Sequence, residues 1–348
     1  MNDRQVRKKR RWLNGYTLLA VLVLALVIAL YPLPYYVTSP GSANELAPII
    51  KVDGGDHNEK GSFMLTTVRI GKANIPQYLI AKFSKYRELL PIDNVRFDNE
   101  SDEEYNMRQL KMMHDSQTAA KIVAYKKAGK TVKVINKGVY ITGVIPGMPA
   151  EKKLKAGDEI IALEGKTIKT SEALLAALEK KKAGEEAHFK VQRGKKLFLA
   201  TVPLASFPKK YAGNSKEKRA GIGITYPLTD VDVKVTPAIT IKTSEIGGPS
   251  AGLMFSLEIY NQLTKGDLTK GHKIAGTGTM NVKEEVGPIG GIQQKIVAAD
   301  QAGAEIFFAP VREHNYRDAV EAAKDIDTKM KIIPVKTMSD ALDYLKKL

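Results

Sequence analysis

Gly247-Gly248-Pro249-Ser250-Ala251-Gly252-Leu253 sits where an apolar, β-branched run (238–242) gives way to a helical pattern. Leu253, Met254, Leu257, Tyr260 and Leu263 then mark one helical face. Glycines ahead of the serine let backbone N–H groups approach a ligand closely, as at anion-binding helix starts. A hydroxyl placed there can attack a carbonyl while backbone donors hold the developing oxyanion. A Pro-Ser helix start is also an ordinary capping turn, so a catalytic reading requires a base.

Histidine is a poor source for that base. The five histidines form no motif, and the chain has no cysteine, which removes disulfides, thiolate metal sites and a thiol nucleophile. A lysine fits better. In Gly287-Pro288-Ile289-Gly290-Gly291-Ile292-Gln293-Gln294-Lys295, the residues Ile292, Ile296 and Ala299 form the buried face of a second helix, and Lys295 lies on that face. Burial disfavours the charged amine and leaves a neutral one able to take a serine proton. A lysine snorkelling from the edge of the face is the alternative reading of the same spacing.

GGPSAGL followed 45 residues later by the lysine of GPIGGIQQK resembles the proteolytic domain of Lon proteases. Ala275-Gly276-Thr277-Gly278-Thr279 resembles the Thr-Gly stretch of that family, and AGAEIFFAP (302–310) its strand after the lysine helix. The resemblance implies Ser250 as nucleophile, Lys295 as general base and Thr277 as a hydrogen-bond partner of the lysine. Upstream, SFMLTTV (62–68) and MHDSQTAAKIVAYKKAG (113–129) resemble the strand and helix that precede those motifs in Lon.

Between them the pattern changes to short strands. GVYITGVIPGMPAEKKLKAGDEIIALEG (138–165) closely resembles a PDZ domain of the bacterial, protease-associated type, over about 127–207. Such domains bind an extended peptide by adding it as a strand beside a helix. The resemblance places Gly138, Val139, Tyr140 and Ile141 on that peptide-binding edge.

The first eleven residues hold six basic side chains against Asp3, a net of +5, and no further charge occurs until Glu45. Residues 18–30 are wholly Leu, Ala, Val and Ile, with Trp12 and Tyr16 at one end and Tyr31, Tyr35 and Tyr36 at the other. This pattern predicts one membrane helix over 12–31 with its N-terminus cytoplasmic and the remainder outside the cell membrane. A cleavable signal ending near 41–43 is the competing reading, disfavoured by the long apolar run and by Pro32, Pro34 and Pro40.

Fifty-four basic residues against 38 acidic give a net charge of +16. Outside the tail the basic residues are scattered among acids, with few aromatics beside the basic clusters, which argues against nucleic acid and for a solvated surface near anionic lipid.

The expected fold is α+β, divided into a basic tail (1–11), a membrane helix (12–31), a linker (32–60), a segment that is either separate from or part of the Lon-like domain (61–126), a PDZ domain (127–207) and a Lon-like domain (208–348). No Walker A motif occurs: Ala124 and Ile160 stand where Gly-Lys-Thr at 129–131 and 165–167 would need the earlier glycine. No cofactor or metal is expected. As a whole the chain resembles the YlbL-type exported proteases of Gram-positive bacteria. That implies an ATP-independent serine endopeptidase cutting exported peptides or flexible protein segments, with PDZ-mediated substrate selection. A homo-oligomer would accord with the rings that Lon-like domains often form. A non-catalytic PDZ adaptor on a protease-like scaffold is the rival reading.

Overall fold

The computed structural model describes residues 15–97, 100–208, 211, 220–243 and 246–348. The basic tail 1–11 and residues 12–14 of the expected span lie outside them. The described chain forms two compact units, 15–39 with 69–95, and 40–68 with the remainder from 96. It opens with α1 (Gly15–Leu30), β1 (Pro32–Glu45), β2 (Ile50–Val52), β3 (Ser62–Asn74), α2 (Ile75–Phe83) and β4 (Glu88–Pro91).

In the smaller unit, α1 is apolar from Leu18 onward and buries no residue. Among the described residues no helix is long and apolar enough to cross a membrane. Pro32 and Pro34 follow at once; they cannot continue a helix but suit an extended strand. The stretch expected as a linker (32–60) therefore carries β1 and β2 instead. Tyr35–Thr38 of β1 pair antiparallel with β4, and burial alternates along the strand through Tyr36 and Thr38. A capping box between Asn74 and Gln77 starts α2.

The larger unit begins with α3 (Asp102–Lys127), whose Ser101–Glu104 capping box fixes its first turn. Then come β5 (Thr131–Tyr140), β6 (Gly143–Val144), β7 (Asp158–Leu163), β8 (Lys166–Thr167), α4 (Ser171–Leu178), β9 (Glu186–Arg193), β10 (Lys196–Pro203), β11 (Ala205–Ser206), β12 (Ala220–Gly221), β13 (Ile224–Thr225) and β14 (Leu228–Thr236). The chain closes with β15 (Ile239–Ile241), α5 (Gly252–Leu263), β16 (Lys273–Gly276), β17 (Thr279–Met280), β18 (Val286–Gly287), α6 (Ile292–Gln301), β19 (Ile306–Pro310), α7 (Asn315–Asp325), β20 (Lys331–Val335) and α8 (Met338–Leu345).

Two hydrophobic cores divide this unit. The first covers one face of the sheet ordered β20–β19–β16–β3, in which neighbours run parallel. It joins Ile50, Phe63 and Leu65 from the N-terminal segment and Val123 and Tyr125 from α3 to Leu253, Leu257, Phe308 and Leu342. Segments on both sides of the PDZ-like stretch thus build a single core. On α3, Met107 and Leu110 are exposed while Met113 and Ala120 are buried.

The second core belongs to the sheet ordered β10–β9–β7–β5–β14 and to α4. It takes Ile222 from beyond the expected boundary at 207, and β14 pairs with β5 over almost its whole length.

Because Phe63 is fully buried in a core shared with α5 and α8, Phe63→Ala should cost about 3–5 kcal/mol. In urea unfolding followed by hydrogen exchange, α5 and α8 should lose protection at the same lowered midpoint. If they kept wild-type protection, the segment before the PDZ-like stretch would be a separate domain.

Candidate active site

Three chain segments far apart in sequence meet at Lys295. The lysine is 2% exposed, one turn into α6 on the face that buries Ile292, Ile296 and Ala299. Gly291, the N-cap of α6, has φ +69, and a Cβ there would stand 2.8 Å from Val68 Cγ1. Only glycine combines that left-handed backbone with so close an approach to β3. The helix starts against the strand, and its lysine reaches the strand's backbone.

Lys295 Nζ lies 2.8 Å from the Thr66 carbonyl oxygen, 2.9 Å from Ser250 Oγ and 3.1 Å from Thr277 Oγ1. Thr277 is fully buried and donates its own hydroxyl proton to the Ser250 carbonyl oxygen at 3.0 Å. It therefore offers the lysine only an acceptor. Burial, with no carboxylate partner, pushes the Lys295 amine down from 10.5 to about 7. A neutral amine has two N–H donors and one lone pair. Thr66 and Thr277 accept the two donors, which leaves the lone pair for the Ser250 hydroxyl.

Ser250 stands just before α5 and is partly exposed, so a substrate can reach the oxygen that a buried amine faces. Its carbonyl also accepts from Gly278 N–H at 2.8 Å, and Leu253 N–H returns a bond to the Gly278 carbonyl at 3.1 Å. Helix α3 supports the same loop: Ser116 Oγ donates to the Pro249 carbonyl at 2.9 Å, and the Gln109 carbonyl accepts from Gly248 N–H at 2.9 Å. Ser250 and Ala251 lead directly into the first turn of α5, where N–H groups lack intrahelical acceptors.

Ser250, Lys295 and Thr277 are thus brought together, as expected from their motifs. Thr66, Gln109 and Ser116 were not anticipated. Thr66 and Gln109 act through backbone carbonyls, which no side-chain pattern reveals, and Ser116 was read only as part of a helix.

The expected peptide edge is not an open one. Gly138, Val139 and Tyr140 lie in β5 opposite Asp230, Thr229 and Leu228 of β14. Val139 and Tyr140 also pair with Ile160 and Glu159 of β7 on the other side, and Ile141 N–H donates to the Asp158 carbonyl at 2.8 Å. A strand paired on both sides offers no ladder to an added peptide.

Ligand atoms of His114, Asp115 and Asp230 come within 4.8 Å of one another. Lys111 bridges Asp115 and Asp230 there and supplies the compensating charge itself.

Residues 214–347 match the family of the Lon protease (S16) C-terminal proteolytic domain, and residues 109–204 match the PDZ domain family. A Lon protease of Trichlorobacter lovleyi is 37% identical over 95 residues, covering 27% of this chain and 11% of that protein. One of Mesomycoplasma hyopneumoniae is 31% identical over 134 residues, covering 38% and 14%. The chain thus spans only a small part of the length of these relatives. The PDZ domain of an SdrC-like protein from Listeria monocytogenes is 32% identical, covering 27% of this chain and 90% of that one, with a TM-score of 0.24. Within one chain, a PDZ domain is joined to a Lon-like proteolytic domain.

Proposed function

We propose that this chain is a serine endopeptidase with a Ser-Lys dyad that needs no nucleotide. The observation that carries the reading is the 2.9 Å approach of Ser250 Oγ to a buried lysine amine whose two donors already have acceptors. Lys295 takes the Ser250 proton as the oxygen attacks the scissile carbonyl, and returns it to the leaving amine. N–H groups at the start of α5 hold the oxyanion. Water then adds to the acyl-enzyme, with Lys295 again as base, and frees Ser250. Thr277 holds the amine and the serine backbone in register. The adaptor reading has no use for a dry lysine aimed at a reachable serine.

The chain has no Walker A motif to drive unfolding, so its substrates are peptides or already flexible segments. We place the protein at the cell membrane as an exported, YlbL-type protease. The apolar α1, exposed along its length, with the basic cluster before it, supports an anchor with its N-terminus cytoplasmic. The PDZ domain selects or positions the substrate.

Full-length wild type should cleave unfolded casein without nucleotide, and Ser250→Ala and Lys295→Ala, each folded, should lose at least about 10³-fold. Equal cutting by the variants would refute the dyad. The active form is the neutral lysine, so kcat/KM should rise about tenfold per pH unit up to the value of about 7 to which burial lowers it, then level off. A rate still climbing above pH 9 would mean that burial does not neutralise the base.

Thr277→Val keeps the shape but removes the oxygen that serves both Ser250 and Lys295, and should lower kcat by about 10–100-fold with KM little changed. A change in KM alone would assign Thr277 to substrate binding.

Flotation of the full chain with phosphatidylcholine–phosphatidylglycerol vesicles tests the anchor. Leu22→Arg with Leu26→Arg should abolish it, since charge in the bilayer centre is costly. Undiminished flotation of that variant would remove α1 as the anchor.

A further inference from the structure

We infer that the PDZ groove holds the chain's own segment 222–230 as its resident strand. An outside peptide would then enter only by displacing that segment, and the displacement would reach the Ser250 loop through α3. β5 uses one side for β7, and the other side, where PDZ domains accept a peptide strand, is filled by β14. The ladder continues past the end of β5. Thr142 Oγ1 donates to the Thr225 and Tyr226 carbonyls at 2.7 and 3.1 Å, and Gly143 and Val144 pair with Thr225 and Ile224. Ile145 N–H and Ala150 N–H donate to the Gly223 and Ile222 carbonyls at 2.7 and 2.8 Å.

Side chains complete the seat. Thr229 Oγ1 accepts from the Ser171 N–H at the start of α4 at 2.9 Å, as a ligand lying between strand and helix would. Ile222 is buried in the second core and Ile224 packs against it. Gly223 has φ +91, and a Cβ there would fall 2.2 Å from Met148 Cβ, so the segment fits only with glycine at that point. Opposite Gly138, the Asp230 carboxylate meets the ammonium of Lys111 at 2.9 Å.

Lys111 makes the fit consequential. It belongs to α3 and is bound by Asp230 of the segment and by Asp115 of its own helix, above the Tyr140 ring. Within two turns the same helix supplies the Gln109 carbonyl to Gly248 N–H, Ser116 Oγ to the Pro249 carbonyl and Gln117 Nε2 to Thr243 Oγ1 at 2.8 Å. One rigid helix therefore grips both the resident strand and the loop that carries Ser250.

The test uses the full chain with Ser250→Ala, so that nothing is cut and binding is read independently of hydrolysis. A fluorescein-labelled peptide of sequence AGIGITYPLTD, copying residues 220–230, is titrated by anisotropy. Gly223→Val expels the segment, and Asp230→Lys sets like charges against each other at Lys111; thermal unfolding checks that each is folded. A resident strand lowers apparent affinity by the fraction of open groove, so both variants should bind at least about tenfold more tightly than the parent. Amide exchange at Gly248 should also quicken in both. Equal affinity in parent and variants, or no binding to the folded variants, would overturn the resident-strand assignment. Tighter binding with unchanged exchange at Gly248 would overturn the link to the Ser250 loop.

Discussion

Moving the Lys295 amine out of water is the constraint on which the rest of the structure depends. A drop from 10.5 to about 7 corresponds to on the order of 5 kcal/mol lost from the charged form. It arises because the lysine has carbonyl and hydroxyl partners and no carboxylate. A nearby acid would restore the charge and remove the base. The dry surroundings come with the buried face of α6, which carries Ile292, Ile296 and Ala299 beside the lysine.

That dryness has an architectural origin. The lysine's carbonyl partner sits on β3, its threonine partner follows β16, and the serine precedes α5. β3 and β16 run parallel and adjacent, with Leu65 opposite Gly276, and Thr66 Oγ1 donates to the Gly276 carbonyl at 3.1 Å. The strand that lies before the PDZ domain in sequence is thus a wall of the site formed after it. Helix α3, packed into the first core through Met113 and Ala120, holds the serine loop on one flank and the Lys111–Asp230 pair on another. Insertion of the PDZ domain between β3 and α5 leaves these contacts intact because the first core closes across it.

Ser250, Lys295 and Thr277 were legible in the sequence because glycine-rich turns and helical periodicity leave local signatures. The carbonyl of Thr66 was not, since backbone acceptors carry no residue preference. β1 was hidden by its prolines, although their fixed φ suits an extended strand. The occupant of the PDZ edge was hidden for a different reason. The local pattern GVYI was read as a strand, but its partner β14 lies far downstream, and register across such a distance is settled by packing rather than by local sequence. The same distance separates Ile222, which joins the second core, from the strands before 207.

The most direct test of the account is an NMR titration of the Lys295 side chain in folded, full-length protein, following Nζ and Cε selectively labelled against a Lys295→Arg control. The account predicts a midpoint near pH 7, well separated from the surface lysines. A midpoint near 10.5, among those surface lysines, would show that the amine stays charged in its pocket, and a Ser-Lys dyad built on a neutral base would be contradicted.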